Sequence, residues 1–192
     1  MCIRDSTGVV KVEFIGAVSK GLEGKELAEM GDMAEAGVVA FSDDGHYVEN
    51  AAFMRRALEY SSMFNKMVID HAEDITLTKN GHMHEGIVSY ELGVIGRPAV
   101  AEDLAVARDI LLSEMTGGHI HIAHVSSKNT VDMVRRAKAK GLNVTCEVTS
   151  QHLSFTDEYL REYNPAFKMA PPIRSEDHRQ ALLEGLKDGT ID

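Results

Sequence analysis

Three short apolar runs in this 192-residue sequence each close on side chains that bind divalent metals. They are Val38-Val39-Ala40-Phe41-Ser42-Asp43-Asp44, Lys66-Met67-Val68-Ile69-Asp70-His71 and His119-Ile120-His121-Ile122-Ala123-His124. A carboxylate and two neutral imidazoles make most of a zinc-type site, and a carboxylate can also bridge two metals. Paired metals lower the pKa of a water held between them and polarise a carbonyl, which suits amide hydrolysis. The candidate ligands are Asp44, His71 and His124. Three ligands do not complete two metal sites, and nothing upstream of Val9 supplies the others.

Each residue also has a plain structural reading. Asp44-Gly45 is a strong turn signal, His71 could cap the next element, and Ser126 or Ser127 after His124 could cap a helix. What favours metal is the joint placement at three strand ends. In a repeated βα fold, the carboxyl ends of parallel strands converge on one face.

The elements that must position these residues alternate along the chain. Val9–Ile15 is predicted to open as a strand, followed by a helix over Lys25–Ala36. Phe53, Ala57, Tyr60 and Phe64 mark a second helix, and the stretch from His71 to Arg97-Pro98 reads as an elaborated loop with a short helix. Val100, Leu104, Ala107 and Leu111 predict a helix stopping at Gly117-Gly118. A helix carrying Val131, Val134 and Ala137 follows the His124 strand, then a strand over Asn143–Val148 and a last helix over Asp177–Leu186. Thr190-Ile191-Asp192 looks like the entry to another strand. About five βα units imply an α/β fold with a parallel sheet. An open doubly wound sheet and part of a (β/α)8 barrel both fit, since a whole barrel takes about 250 residues.

Strand alternation sorts the remaining histidines. His119 and His121 should point one way, packing between strand and helix, while Ile120, Ile122 and His124 point the other. His82-Met83-His84 has a zinc-ligand spacing but sits after Asn80-Gly81, where loop structure is expected. His46, His152 and His178 read as surface residues, although His152 could border the cleft.

A net charge of −10 argues against nucleic acid or an anionic membrane surface as partner. No apolar run approaches the roughly 18–20 residues of a membrane helix. Two cysteines and no amino-terminal apolar region suggest a reducing, cytoplasmic setting.

From Val9 onward the chain resembles bacterial dihydroorotases of the amidohydrolase superfamily. The resemblance is carried by Gly16–Met30, Phe41-Ser42-Asp43-Asp44-Gly45, His84-Glu85-Gly86, Ala107–Leu112, His121–Ser126, Lys168–Arg174 and Gly185–Asp192. It implies a (β/α)8 barrel of which residues 9–192 are the central part, lacking the first strand or strands and the last ones. Residues 1–8 fall outside the resemblance and read as an artefactual terminus. The resemblance implies that Asp44 bridges two zinc ions and that His71 and His124 bind the second. Hydantoinases and allantoinases usually place a carboxylated lysine where Asp44 stands, so the aspartate favours the dihydroorotase branch. A His-x-His pair for the first zinc is absent, and the acid–base Asp is expected beyond Asp192, so this chain alone should be inactive. Ala170 stands where the family commonly has a substrate-contacting Asn.

The expected activity is interconversion of N-carbamoyl-L-aspartate and L-dihydroorotate in pyrimidine biosynthesis. Homodimers or a complex with aspartate carbamoyltransferase are the expected assemblies. Another cyclic amidohydrolase is the first alternative. A non-catalytic scaffold of the carbamoyltransferase is the second, although such proteins lose metal ligands that this chain keeps.

Overall fold

The computed structural model describes residues 9–192, and the expectation for residues 1–8 lies outside the described residues. The apolar runs form short parallel strands: β1 (Ile15–Gly16), β2 (Ala40–Ser42), β3 (Met67–Asp70), β4 (Met83–His84), β5 (Gly96–Arg97), β6 (Ile120–Ile122) and β7 (Val144–Cys146). Between them lie α1 (Met30–Glu35), α2 (Ala51–Ser62), α3 (Ile75–Thr78), α4 (Ile87–Leu92), α5 (Val100–Thr116), α6 (Lys128–Ala139), α7 (Ser150–Ser154) and α8 (Glu176–Lys187).

Among the described residues, five strands make one parallel sheet in the order β1-β2-β3-β6-β7. Spatial order follows chain order without reversal, so the sheet has no switch point of the doubly wound kind. Register shows how its two faces divide. Phe41, Val68, Ile120 and Val144 stand in one row and are at most 2% exposed. They pack with Met54 and Leu58 of α2, Val106 of α5 and Val134 of α6. Each such buried side chain contributes about 1.5–3 kcal/mol, so stability resides on this helix-covered face. The alternate row, Ser42, Ile69, His121 and Thr145, is only half-buried. One face clothed in helices and one bare face, with sequential parallel strands, describe part of a (β/α)8 barrel wall.

Local boundaries differ from the sequence expectation for physical reasons. The β-branched run from Val9 is exposed, and among the described residues the contact with the β2 segment starts where Phe14 O accepts Val39 N at 2.9 Å. The helix expected over Lys25–Ala36 shortens to α1, because Lys20 N donates to Glu26 O and Ala28 N to Val18 O. After His71 the chain forms α3, α4 and a small parallel pair, β4 with β5, so His82-Met83-His84 is partly strand rather than loop. The helix caps follow expectation at Gly117 (φ 72°), which ends α5, and at Ser127, whose side chain accepts Asn129 N to start α6. Asp192 N donates to Cys146 O at 3.0 Å, laying the last residues alongside β7.

Candidate metal centre

Two adjacent acids at the end of β2 have different tasks. Asp43 is buried and accepts hydrogen bonds from Val18 N at 2.9 Å, Ser19 N at 3.0 Å and Ser19 Oγ. Anchored there, it fixes the turn. Asp44 N donates to Ser42 Oγ at 2.9 Å, Gly45 takes φ 87°, and the Asp44 side chain stays 58% exposed. The turn signal is therefore fulfilled, and the two neighbouring acids divide: Asp43 anchors the turn while Asp44 faces the cleft. A Cβ at Gly45 would be strained at that φ.

His71 follows β3 and is buried. Its Nδ1 lies 2.9 Å from His124 Nε2 and 3.6 Å from Asp44 Oδ1. Its other nitrogen, Nε2, lies 3.8 Å from Glu73 Oε2, and Glu73 also accepts from Arg97 at 3.2 Å. Burial opposes ionisation of Glu73, but the His71 ring and Arg97 outweigh it and hold the carboxyl below the usual range. A carboxylate on the far nitrogen orients a ligating imidazole and raises its basicity.

His124 lies beyond β6 with φ 38°, the left-handed region uncommon for a residue with a side chain. Its N–H donates to Glu147 Oε1 at 2.7 Å, and Val125 N donates to Glu147 O at 2.8 Å. His124 Nε2 is 3.3 Å from Asp44 Oδ1.

The three ligand atoms are thus separated by 2.9, 3.3 and 3.6 Å. Bonds of about 2.0–2.1 Å in tetrahedral geometry place neighbouring ligand atoms about 3.3–3.4 Å apart. Asp44, His71 and His124 therefore match one face of a tetrahedral site and can hold one metal ion.

The expected strand parity is corrected. His121 lies in the half-buried row, donates or accepts at Thr145 Oγ1 (2.8 Å) and lines the open cleft with Asp44 and His124. His119 contacts the same hydroxyl at 2.8 Å. Neither packs between strand and helix, where Ile120 and Ile122 are fully buried instead. His124 reaches the cleft because β6 ends at Ile122 and the following turn redirects it, so alternation no longer applies.

Other histidines also depart from expectation. His152 and His178 are buried rather than on the surface, while His46 is exposed. His152 Nε2 pairs with Pro171 O at 3.1 Å, and His178 accepts Lys128 N at 3.0 Å. His82 is exposed and His84 buried, its pKa pushed down to about 4 by burial and by Arg174 and His178. Ala170 is exposed beside Pro171, which lines a small cavity with His71 and His124.

Sequence reasoning missed Glu73, Glu147, Glu102, Arg174 and Arg108. Glu147, an acid near the end of an expected strand, carried the same signal as Asp44 and could have been found by it. Arg108 offered no local signal. It reaches from α5 to Val48 O, to Asp109 Oδ1 at 2.9 Å and to Asp70 Oδ2 at 3.5 Å, and it lies 4.5 Å over the Tyr47 ring. It ties the loop after Asp44 to the strand end before His71. Among the described residues no helix is long and apolar enough to cross a membrane.

Comparison with known proteins gives a consistent result. The family described as Dihydro-orotase-like matches residues 1–130. A dihydroorotase from Pelotomaculum thermopropionicum is 55% identical over 185 residues, covering 96% of this chain and 43% of the relative. One from Streptomyces coelicolor is 53% identical, covering 99% of this chain and 45% of the relative. The chain thus spans less than half the length of the curated relatives it matches. Among solved structures, an L-hydantoinase (dihydropyrimidinase) from Arthrobacter aurescens superposes with a TM-score of 0.76 at 25% identity, over 95% of this chain and 42% of that one. Sequential parallel strands, a cluster of candidate ligands at their ends and a family match over most of the chain agree: this chain belongs to the dihydro-orotase-like family.

Proposed function

We propose that this chain forms the central part of a zinc-dependent dihydroorotase that interconverts N-carbamoyl-L-aspartate and L-dihydroorotate. The observation that carries this reading is the triad itself, with an aspartate, not a lysine, where its two histidines meet. Greater identity to dihydroorotases than to the hydantoinase supports the same branch.

When bound, zinc would polarise the amide carbonyl and activate water. His71 would present Nδ1 and His124 Nε2 to the ion. Glu73 faces the other nitrogen of His71 and favours the tautomer that leaves Nδ1 free. Asp44 faces both rings through Oδ1 and would be the carboxylate shared by two ions. The reading requires a His-x-His pair and an acid–base Asp from the remainder of the protein. Ala170, lacking an amide, would contribute no polar contact to substrate. The same reading makes the partners a small acidic substrate and a second subunit or aspartate carbamoyltransferase, in the cytoplasm and in pyrimidine biosynthesis.

The test is zinc binding and turnover in the full-length protein. Wild type should bind zinc tightly and hydrolyse dihydroorotate in preference to hydantoin. Asp44→Ala should lose both, and full zinc occupancy in that variant would refute the bridging role.

A further inference from the structure

Behind the triad, on the side covered by helices, a buried polar knot grips the turn that carries His124. Glu102, in the first turn of α5 and 4% exposed, accepts Ser126 N and Ser127 N, both at 2.9 Å, and Ser126 Oγ. Arg174, 5% exposed, donates to Ser126 Oγ at 2.8 Å and to Glu102 Oε2 at 3.3 Å. Its remaining nitrogen points to His84 Nδ1 and Arg97 O, each at 3.4 Å. A cavity of only about 10 Å3, lined by His71, His124, Glu102 and Arg174, lies between this knot and the ligands.

The turn needs such a grip. His124 is held at φ 38°, a conformation that costs free energy for a residue with a Cβ and persists only where its surroundings over-determine it. Glu147 restrains the turn from one side through His124 N. Glu102 restrains it from the other, because one carboxylate accepting two successive N–H groups fixes the direction of both peptides. Charge-assisted bonds of this kind are about twice as strong as neutral ones. Arg174 supplies the counter-charge that keeps the buried carboxylate tolerable.

We propose that Glu102 is a positioning residue for the metal centre: with Arg174 it fixes the 124–127 turn and so aims Nε2 of His124 at the ion. This rests on the reading of Asp44, His71 and His124 as metal ligands. Glu102 is not among the candidate ligands and would act only through the turn.

The experiment titrates Co2+ into the metal-free full-length protein, following calorimetry and the visible ligand-field spectrum, in wild type, Asp44→Ala, Glu102→Gln and Ser126→Ala. Glu102→Gln preserves shape and removes the charge. It should keep the wild-type circular dichroism, weaken Co2+ binding by about 10–100-fold and change the band intensities, as loss of a supporting partner does elsewhere. A purely structural role would lower Tm and leave affinity and spectrum alone, and that result overturns the inference. Should Glu102→Gln not fold, Ser126→Ala decides, because it removes the hydroxyl joining Glu102 to Arg174 but keeps the N–H. Weaker Co2+ binding there supports the inference, and unchanged binding overturns it. If wild type binds no Co2+, or Asp44→Ala binds as tightly as wild type, the metal reading itself fails and the inference falls with it.

Discussion

Helix α5 carries two buried polar knots seven positions apart on one face, at Glu102 and Asp109, and they are built on opposite principles. At Glu102 one carboxylate meets one guanidinium, and every acceptor has a donor. At Asp109, two carboxyls, Asp109 and Asp70, crowd one guanidinium, that of Arg108. Asp109 Oδ2 has no hydrogen-bond partner among the described residues. The charge states diverge accordingly. Burial works against the Glu102 carboxylate, but Arg174 and the serine donors outweigh it and hold its pKa below the usual range. Burial raises Asp70 and Asp109, with Asp109 adding to the effect on Asp70 and Arg108 opposing it. The balanced knot holds the turn that carries His124, a candidate ligand. The unbalanced one is tolerated because Arg108 also joins the loop after Asp44 to β3. A buried ion pair is thus informative here for what it orients rather than for what it adds to stability.

Breaking the balanced knot should have the largest effect. Glu102→Ala strands Arg174 and two backbone N–H groups, and denaturant unfolding of the full-length protein should show a loss of about 3–5 kcal/mol. Arg108→Leu should cost less, about 2–3 kcal/mol at pH 7, because the two stranded carboxyls can take up a proton. Its deficit should shrink as pH falls, whereas a pH-independent deficit would show that the acids carry no mutual strain.

The two knots should also respond oppositely to acid. His84 in the folded protein has its pKa pushed down to about 4, so between pH 6.5 and about 4 the unfolded chain binds the proton and the folded one does not. Stability is therefore full above that window and falls through it as pH drops, and His84→Gln should flatten this slope in unfolding measured against pH. Asp109→Asn should change stability by no more than about 1 kcal/mol at neutral pH, on the stabilising side. Since the folded pKa values of the acid pair are raised, the unfolded chain releases its protons first as pH rises. The advantage of Asp109→Asn over wild type should accordingly grow with pH. Smallest of all, Asp44→Ala should alter metal-free stability by about 0.5 kcal/mol or less, its side chain being 58% exposed. A large loss there would mean that Asp44, like Asp43, is an anchor.

The ligand candidates were legible because strand-end placement is a local property: an apolar run, a turn, and a residue type that binds metal. Asp44, His71 and His124 needed nothing more. The direction of His124 was not legible. Alternation assumed a strand continuing to residue 124, but β6 ends at Ile122 and the chain turns with a left-handed backbone at His124. His121 shows the same limit, since the half-buried face to which it belongs is defined by register with Ile69 and Thr145.

The order and residue types alone determined the alternating βα plan, the parallel sheet and the three ligand candidates, because periodicity, turn chemistry and donor type are written within a few residues of each other. Only the tertiary structure decided that Asp43 anchors while Asp44 faces the site, and that His71 offers Nδ1 where His124 offers Nε2. It alone brought Glu147 to His124, Glu102 to Ser126 and Arg174 to Glu102, across separations of 23, 24 and 72 residues. Those pairings depend on which helix crosses behind which strand, and no local propensity encodes that.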